Sequence, residues 1–68
     1  MSNVNAAAST AHKDAANEHK VCADHHLKAA ASHDNHKPED AKASAKDAKT
    51  HCDTASKHSA TACAESAK

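Results

Sequence analysis

The stretch His33-Asp34-Asn35-His36-Lys37-Pro38 divides this 68-residue chain into two alanine-rich halves. Pro38 is the only proline, and its fixed φ and missing N–H suit the first turn of a helix. Asn35 can end the preceding helix in the left-handed conformation that glycine usually takes, and the chain contains no glycine. These signals predict helices over about residues 5–33 and 38–66, joined by a turn at 34–37.

On both sides of this break, small residues recur at alternating spacings of four and three, which is the a/d pattern of a coiled coil. In the second half the stripe comprises Ala41, Ala45, Ala48, Cys52, Ala55, Ser59, Ala62 and Ser66. The first half carries a rougher stripe at the same spacings, which also includes larger residues: Val4, Ala8, Ala11, Ala15, Glu18, Cys22, His25 and Ala29. Long helices joined by a short turn pack as antiparallel neighbours. The sequence therefore predicts an all-α fold over residues 1–68: one domain, an antiparallel two-helix hairpin with an Ala-rich coiled-coil seam.

The composition leaves this hairpin short of an ordinary hydrophobic core. Alanine supplies 19 residues, no residue is aromatic, and the large apolar residues are Met1, Val4, Val21 and Leu27. A chain of this size then needs a cross-link, a metal ion or a second chain. Pairing of two hairpins into a four-helix bundle would bury Val4, Val21 and Leu27, so a homodimer is one expectation. A two-helix hairpin offers no concave pocket or oxyanion hole, and we therefore expect no enzymatic activity.

The fold-back predicts which residues of the two helices face each other. If the turn centres near Lys37, residues whose numbers add up to about 74 lie opposite one another. Cys22 then faces Cys52, and Ala15 faces Ser59. A Cys22–Cys52 disulfide would close a loop of about 30 residues and contribute roughly 3–4 kcal/mol in the chain-entropy model.

Histidine is the other unusual feature, with eight residues in the chain. Four of them, His12, His19, His26 and His33, recur at intervals of seven and therefore form one stripe beside the seam. His19, Cys22 and His26 share a helix face, and Cys52 arrives from the other helix. These four residues predict a Cys2His2 cluster, in which His25 could replace His26. Thiolate and imidazole together favour Zn(II) or Cu(I).

Two further groups of candidate ligands lie away from this cluster. His12 and Cys63 fall at facing positions in the same register and could hold a weak or transferable metal ion. His33, Asp34 and His36 meet at the turn, where they are also ordinary turn residues. Cys63 alone could act as a thiol redox sensor if its thiol were exposed and readily ionised.

The net charge, the apolar runs and the first residues of the chain restrict the kinds of partner and the compartment we expect. The formal net charge is zero with His neutral, which argues against nucleic acid and against an anionic membrane surface. No apolar run is long enough to cross a bilayer. The first six residues lack the pattern of a secretory signal, so we expect a cytoplasmic protein, or a periplasmic one if a leader has been removed. Acid would charge the histidines, and we expect it to loosen the fold.

Three segments carry a resemblance in composition to known proteins: Ala11-His12-Lys13-Asp14-Ala15-Ala16, His25-His26-Leu27-Lys28-Ala29-Ala30 and Lys37-Pro38-Glu39-Asp40-Ala41-Lys42. Over about residues 11–60 the chain resembles small bacterial His/Ala-rich helical proteins. That resemblance implies a helical bundle that binds copper, nickel or zinc. The segments Asp40-Ala41-Lys42 and Asp47-Ala48-Lys49 also look like desiccation-associated Ala/Lys-rich helices, which implies a stress-response role.

Two functions follow as expectations. The first is a small Zn(II) or Cu(I) buffer or chaperone, with Cys22, Cys52 and Cys63 supplying thiolates and His19, His26 and His12 supplying imidazoles. The second is a non-catalytic structural or stress-response hairpin that a Cys22–Cys52 disulfide holds closed.

Overall fold

The computed structural model describes the backbone of residues 2–68 and the side chains of residues 5–68. Helix α1 spans Ser2–Asp34 and helix α2 spans Pro38–Ser66, and they pack against each other as an antiparallel pair. The pair forms a rod whose Cα atoms extend over 53 × 13 × 11 Å. Over residues 2–68 there is no strand. The predicted all-α hairpin is therefore confirmed, with α1 beginning three residues earlier than expected and α2 spanning the expected residues.

The turn ends α1 through its backbone rather than through a side chain. The N–H of Lys37 donates to the carbonyl of Ser32 at 2.8 Å, and the N–H of His36 donates to the carbonyl of His33 at 3.0 Å. This pair of bonds is the Schellman motif, whose penultimate residue must be left-handed. His36 takes that conformation, with φ 56°. The prediction that Asn35 would do so was wrong by one residue, because α1 continues through Asp34 and the N–H of Asn35 still bonds back to Ala31.

Helix α2 begins as its sequence predicts. Pro38 occupies the first turn, and the N–H of Ala41 donates to the carbonyl of Lys37 at 2.9 Å. Glu39 and Asp40 place negative charge in the first turn, where the helix dipole favours it.

The core is a column of methyl groups. Its buried residues are Ala15 from α1 and Ala41, Ala48, Ala55 and Ala62 from α2, and no polar or charged side chain among residues 5–68 is buried. The α2 members are seven residues apart, so a single heptad position faces α1. Side chains this small let the helices approach closely, and the Cα atoms of Cys22 and Cys52 are 4.8 Å apart.

The seam agrees with its predicted stripe on α1 and departs from it on α2. Every described member of the α1 stripe is buried or half-buried, whereas Val4 lies outside the residues with described side chains. On α2, Cys52 and Ser59 are half-buried, but Ala45 and Ser66 are exposed. Helix α2 is rotated so that its Ala41 column points at α1. Residues on both sides of that column therefore lie partly against α1. On the side opposite Cys52 and Ser59 these are the half-buried residues Ser44, His51, His58 and Glu65.

The two large apolar residues with described side chains do not join this core. Leu27 is 68% exposed, and Val21 is half-buried within the hairpin itself. The predicted four-helix bundle remains a prediction. In the part of the chain that the structure describes, neither helix is long and apolar enough to cross a membrane.

Candidate metal centre

The same three helix positions recur every seven residues along one side of the seam. Each recurrence brings three residues together, and we call such a group a level; there are four. Each level takes two residues from α1, four apart, and one residue from α2. We number the levels from the chain ends toward the turn. Level 1 is Ala8, His12 and Ser66; level 2 is Ala15, His19 and Ser59; level 3 is Cys22, His26 and Cys52; level 4 is Ala29, His33 and Ala45. Successive levels are about 10 Å apart, because seven residues of α-helix rise by that distance.

At the first three levels the histidine of α1 reaches across to α2. The Nε2 atom of His12 shares a hydrogen bond of 2.6 Å with the Oγ of Ser66, and His19 does the same with Ser59 at 2.6 Å. His26 repeats the contact at level 3, where its Nε2 lies 3.3 Å from the Sγ of Cys52. Three of the four histidines in the stripe, which the sequence analysis placed only beside the seam, therefore contact α2.

Level 3 differs because both of its remaining members are cysteines. Cys22 and Cys52 are at bonding distance and form a disulfide between residues 30 apart in sequence. Their Cα separation of 4.8 Å lies within the range that disulfides span. The predicted opposition of these two residues is confirmed.

The same level also brings together a set of metal ligands. The ligand atoms of Cys22, His26 and Cys52 all lie within 4.8 Å of one another. Both cysteines are half-buried and His26 is exposed, so the group sits at the edge of the seam, open to solvent on one side. Among the described residues this is the one group of three or more His, Cys, Asp or Glu side chains close enough to hold an ion. The sulfurs that would bind the ion are the sulfurs that form the disulfide.

The structure separates the other candidate ligands from this group. His19 contacts Ser59 one level away, about 10 Å along the helix, so the predicted Cys2His2 set is reduced to three residues. Of the predicted pair His12 and Cys63, His12 contacts Ser66 and Cys63 is an exposed free thiol, and their pairing at a metal ion stays a prediction. At the turn, His33, Asp34 and His36 are all exposed.

A stacked histidine pair was missed by the sequence analysis. The rings of His25 and His51 lie parallel within 3°, with their centroids 4.4 Å apart. Both residues are half-buried, and the Nδ1 atom of His25 is buried without a hydrogen-bond partner. His25 therefore packs on α2 through its ring, and His26 is the histidine that faces the cysteines. The register that pairs Cys22 with Cys52 brings residue 51 to the level of residue 25, but the stacking also depends on the rotation of α2, which the register does not specify.

No cavity is found in the described part of the chain. Comparisons with protein-family models, with curated proteins and with solved structures find no match to this chain. The level 3 geometry is accordingly the basis for a functional proposal.

Proposed function

We propose that this chain is a small metal-binding protein whose reduced form holds one soft or borderline ion, Zn(II) or Cu(I), at level 3. The observation that carries the proposal is the convergence of Cys22, His26 and Cys52 within 4.8 Å. Two thiolates and an imidazole are the donors that these ions prefer. Zinc binds each thiolate at about 2.3 Å in a tetrahedral arrangement. The two sulfurs, which are bonded to each other in this structure, must therefore separate on reduction before both can bind the ion.

Three protein ligands fit transfer of the ion better than permanent storage. Structural zinc sites are closed by four protein ligands, whereas a site with three keeps one coordination position for an incoming group. At level 3 that position would be on the solvent side, because His26 is exposed and both cysteines are half-buried. This openness supports a buffer or chaperone that exchanges its ion with other molecules.

The proposal predicts a characteristic response to titration with metal under reducing conditions. Co(II) is a spectroscopic stand-in for Zn(II), and its bonds to thiolate give absorption bands in the near ultraviolet. We expect the bands to saturate at one equivalent, to disappear when Zn(II) is added, and to weaken in acid because the ligands must lose protons to bind.

A matched pair of histidine variants locates the site. His26→Ala removes one ligand and should weaken Zn(II) binding by more than the roughly 10–100-fold that loss of an outer-shell partner costs. His33→Ala alters the same stripe one level away, where α2 offers only the methyl group of Ala45. The proposal fails if the reduced protein gives no thiolate bands, or if the two variants bind equally well.

The second candidate function is a structural hairpin in which the disulfide is the final state. It is favoured by the bonding distance between Cys22 and Cys52 and by a core that contains only alanine. It predicts that no metal ion binds at level 3 after reduction.

A further inference from the structure

We infer that the level 3 cysteines form a redox gate: oxidation of Cys22 and Cys52 to the disulfide expels the metal ion while the hairpin stays closed. The inference rests on the proposed function and concerns how the bound ion would be released. The metal site and the disulfide are then two states of one cross-link between the helices, formed by Cys22, Cys52 and, in the metal-bound state, His26; we call this cross-link the clasp.

The gate follows because the metal site and the disulfide use the same two sulfur atoms, those of Cys22 and Cys52. A sulfur that has formed a disulfide is no longer a thiolate, and thiolate is the form that binds metal. Oxidation therefore leaves His26 as the only ligand of the group, and a single exposed imidazole cannot retain the ion. Because the two states use the same atoms, they exclude each other.

The fold can remain intact through the change because both states join the helices at the same point. The disulfide links α1 to α2 through Cα atoms 4.8 Å apart. The ion would link the same two helices through the same side chains. A core of alanine methyl groups gives the hairpin little else to hold its middle together, so either link stabilises the closed form.

The reaction balances with a small disulfide as the oxidant. The two metal-bound thiolates supply two electrons, and the S–S bond of the oxidant breaks to give two thiolates. The Cys22–Cys52 bond forms through a mixed-disulfide intermediate, and the ion leaves with its charge unchanged. Zn(II) is the suitable probe because it has no redox chemistry of its own.

The experiment uses the full chain carrying Cys63→Ser, so that level 3 holds its only thiols. The reduced, zinc-loaded protein is treated with oxidised glutathione. Released zinc is followed with a colorimetric chelator, thiol oxidation by mass spectrometry and helix content by circular dichroism. We expect complete release of zinc, a mass two hydrogens below that of the reduced metal-free chain, and unchanged helix content. Dithiothreitol should then restore zinc binding.

Each other outcome overturns a defined part of the account. Retention of zinc with both thiols still reduced would overturn the gate and leave the proposed function standing. Release of zinc with glutathione adducts in place of the internal disulfide would also overturn the gate, as would loss of helix content on oxidation. Failure of the reduced protein to take up zinc would overturn the proposed function itself.

The variant His26→Ala separates the two states of the clasp. It keeps both cysteines, so its oxidised form should match the parent in thermal unfolding. Its reduced form should gain less stability from added zinc than the reduced parent does. Equal gains from zinc would contradict the assignment of His26 to the clasp.

Discussion

Levels 2 and 3 of the hairpin occupy the same three helix positions, one heptad apart, and differ in which atoms stand there. At level 2, His19 contacts the hydroxyl of Ser59, and the remaining place is the methyl group of Ala15. At level 3, His26 contacts Cys52, and the remaining place is Cys22. The backbone arrangement repeats, but only one level carries sulfur. The register brings the three side chains of each level close together. Whether a level can bind metal or form a disulfide depends on whether two of its positions hold cysteine.

The largest effect is expected from breaking level 3. Cys22→Ser removes the disulfide, and we expect the free energy of unfolding of the oxidised protein to fall by about 3–4 kcal/mol. Urea unfolding followed by circular dichroism measures the loss. Cys63→Ser is the matched control, since Cys63 is an exposed free thiol and its replacement should cost no more than about 0.5 kcal/mol. Similar losses from both variants would mean that the disulfide does not hold the hairpin.

Converting level 2 into a copy of level 3 sharpens the comparison. Ala15→Cys together with Ser59→Cys, with Cys63→Ser to prevent mispairing, places two sulfurs beside His19. We expect a second disulfide worth up to about 3 kcal/mol on oxidation. On reduction we expect a second bound zinc ion. Peptide mapping and metal analysis measure both. Failure of residues 15 and 59 to pair would show that level 3 depends on more than the register.

The smallest effect is expected at level 2 itself. His19→Ala removes one exposed hydrogen bond to Ser59, and the loss should be at most about 1 kcal/mol. Zinc binding by the reduced protein should be unchanged, because His19 lies outside the level 3 group. A large loss of zinc affinity in His19→Ala would show that His19 is a ligand of the ion.

Much of this arrangement was predictable because it depends on periodicity and chain direction. A proline followed by two acidic residues marked the start of α2, and the fold-back about Lys37 paired Cys22 with Cys52. His26 was already among the predicted ligands. These inferences need only the heptad period and the position of the turn.

Features that depend on the rotation of α2 about its axis were not predictable. A rotation by part of a turn exposed Ala45 and Ser66 and moved His51 to the seam, where it stacks on His25. The serines that contact His12 and His19, Ser66 and Ser59, belong to the predicted α2 stripe, but the stripe alone did not indicate these hydrogen bonds. The left-handed residue moved from Asn35 to His36 because α1 continues through Asp34. Packing of the alanine core sets such details, and small residues at spacings of four and three specify that packing only loosely.

Metal binding at level 3 can be measured by native mass spectrometry of untagged protein, purified without chelator and examined before and after reduction. We expect one zinc or copper ion per chain in the reduced protein, lost in Cys22→Ser and Cys52→Ser and kept in Cys63→Ser. Level 3 is not a metal site if the reduced protein carries no metal after exposure to Zn(II) or Cu(I), or if the bound metal survives both of the level 3 substitutions.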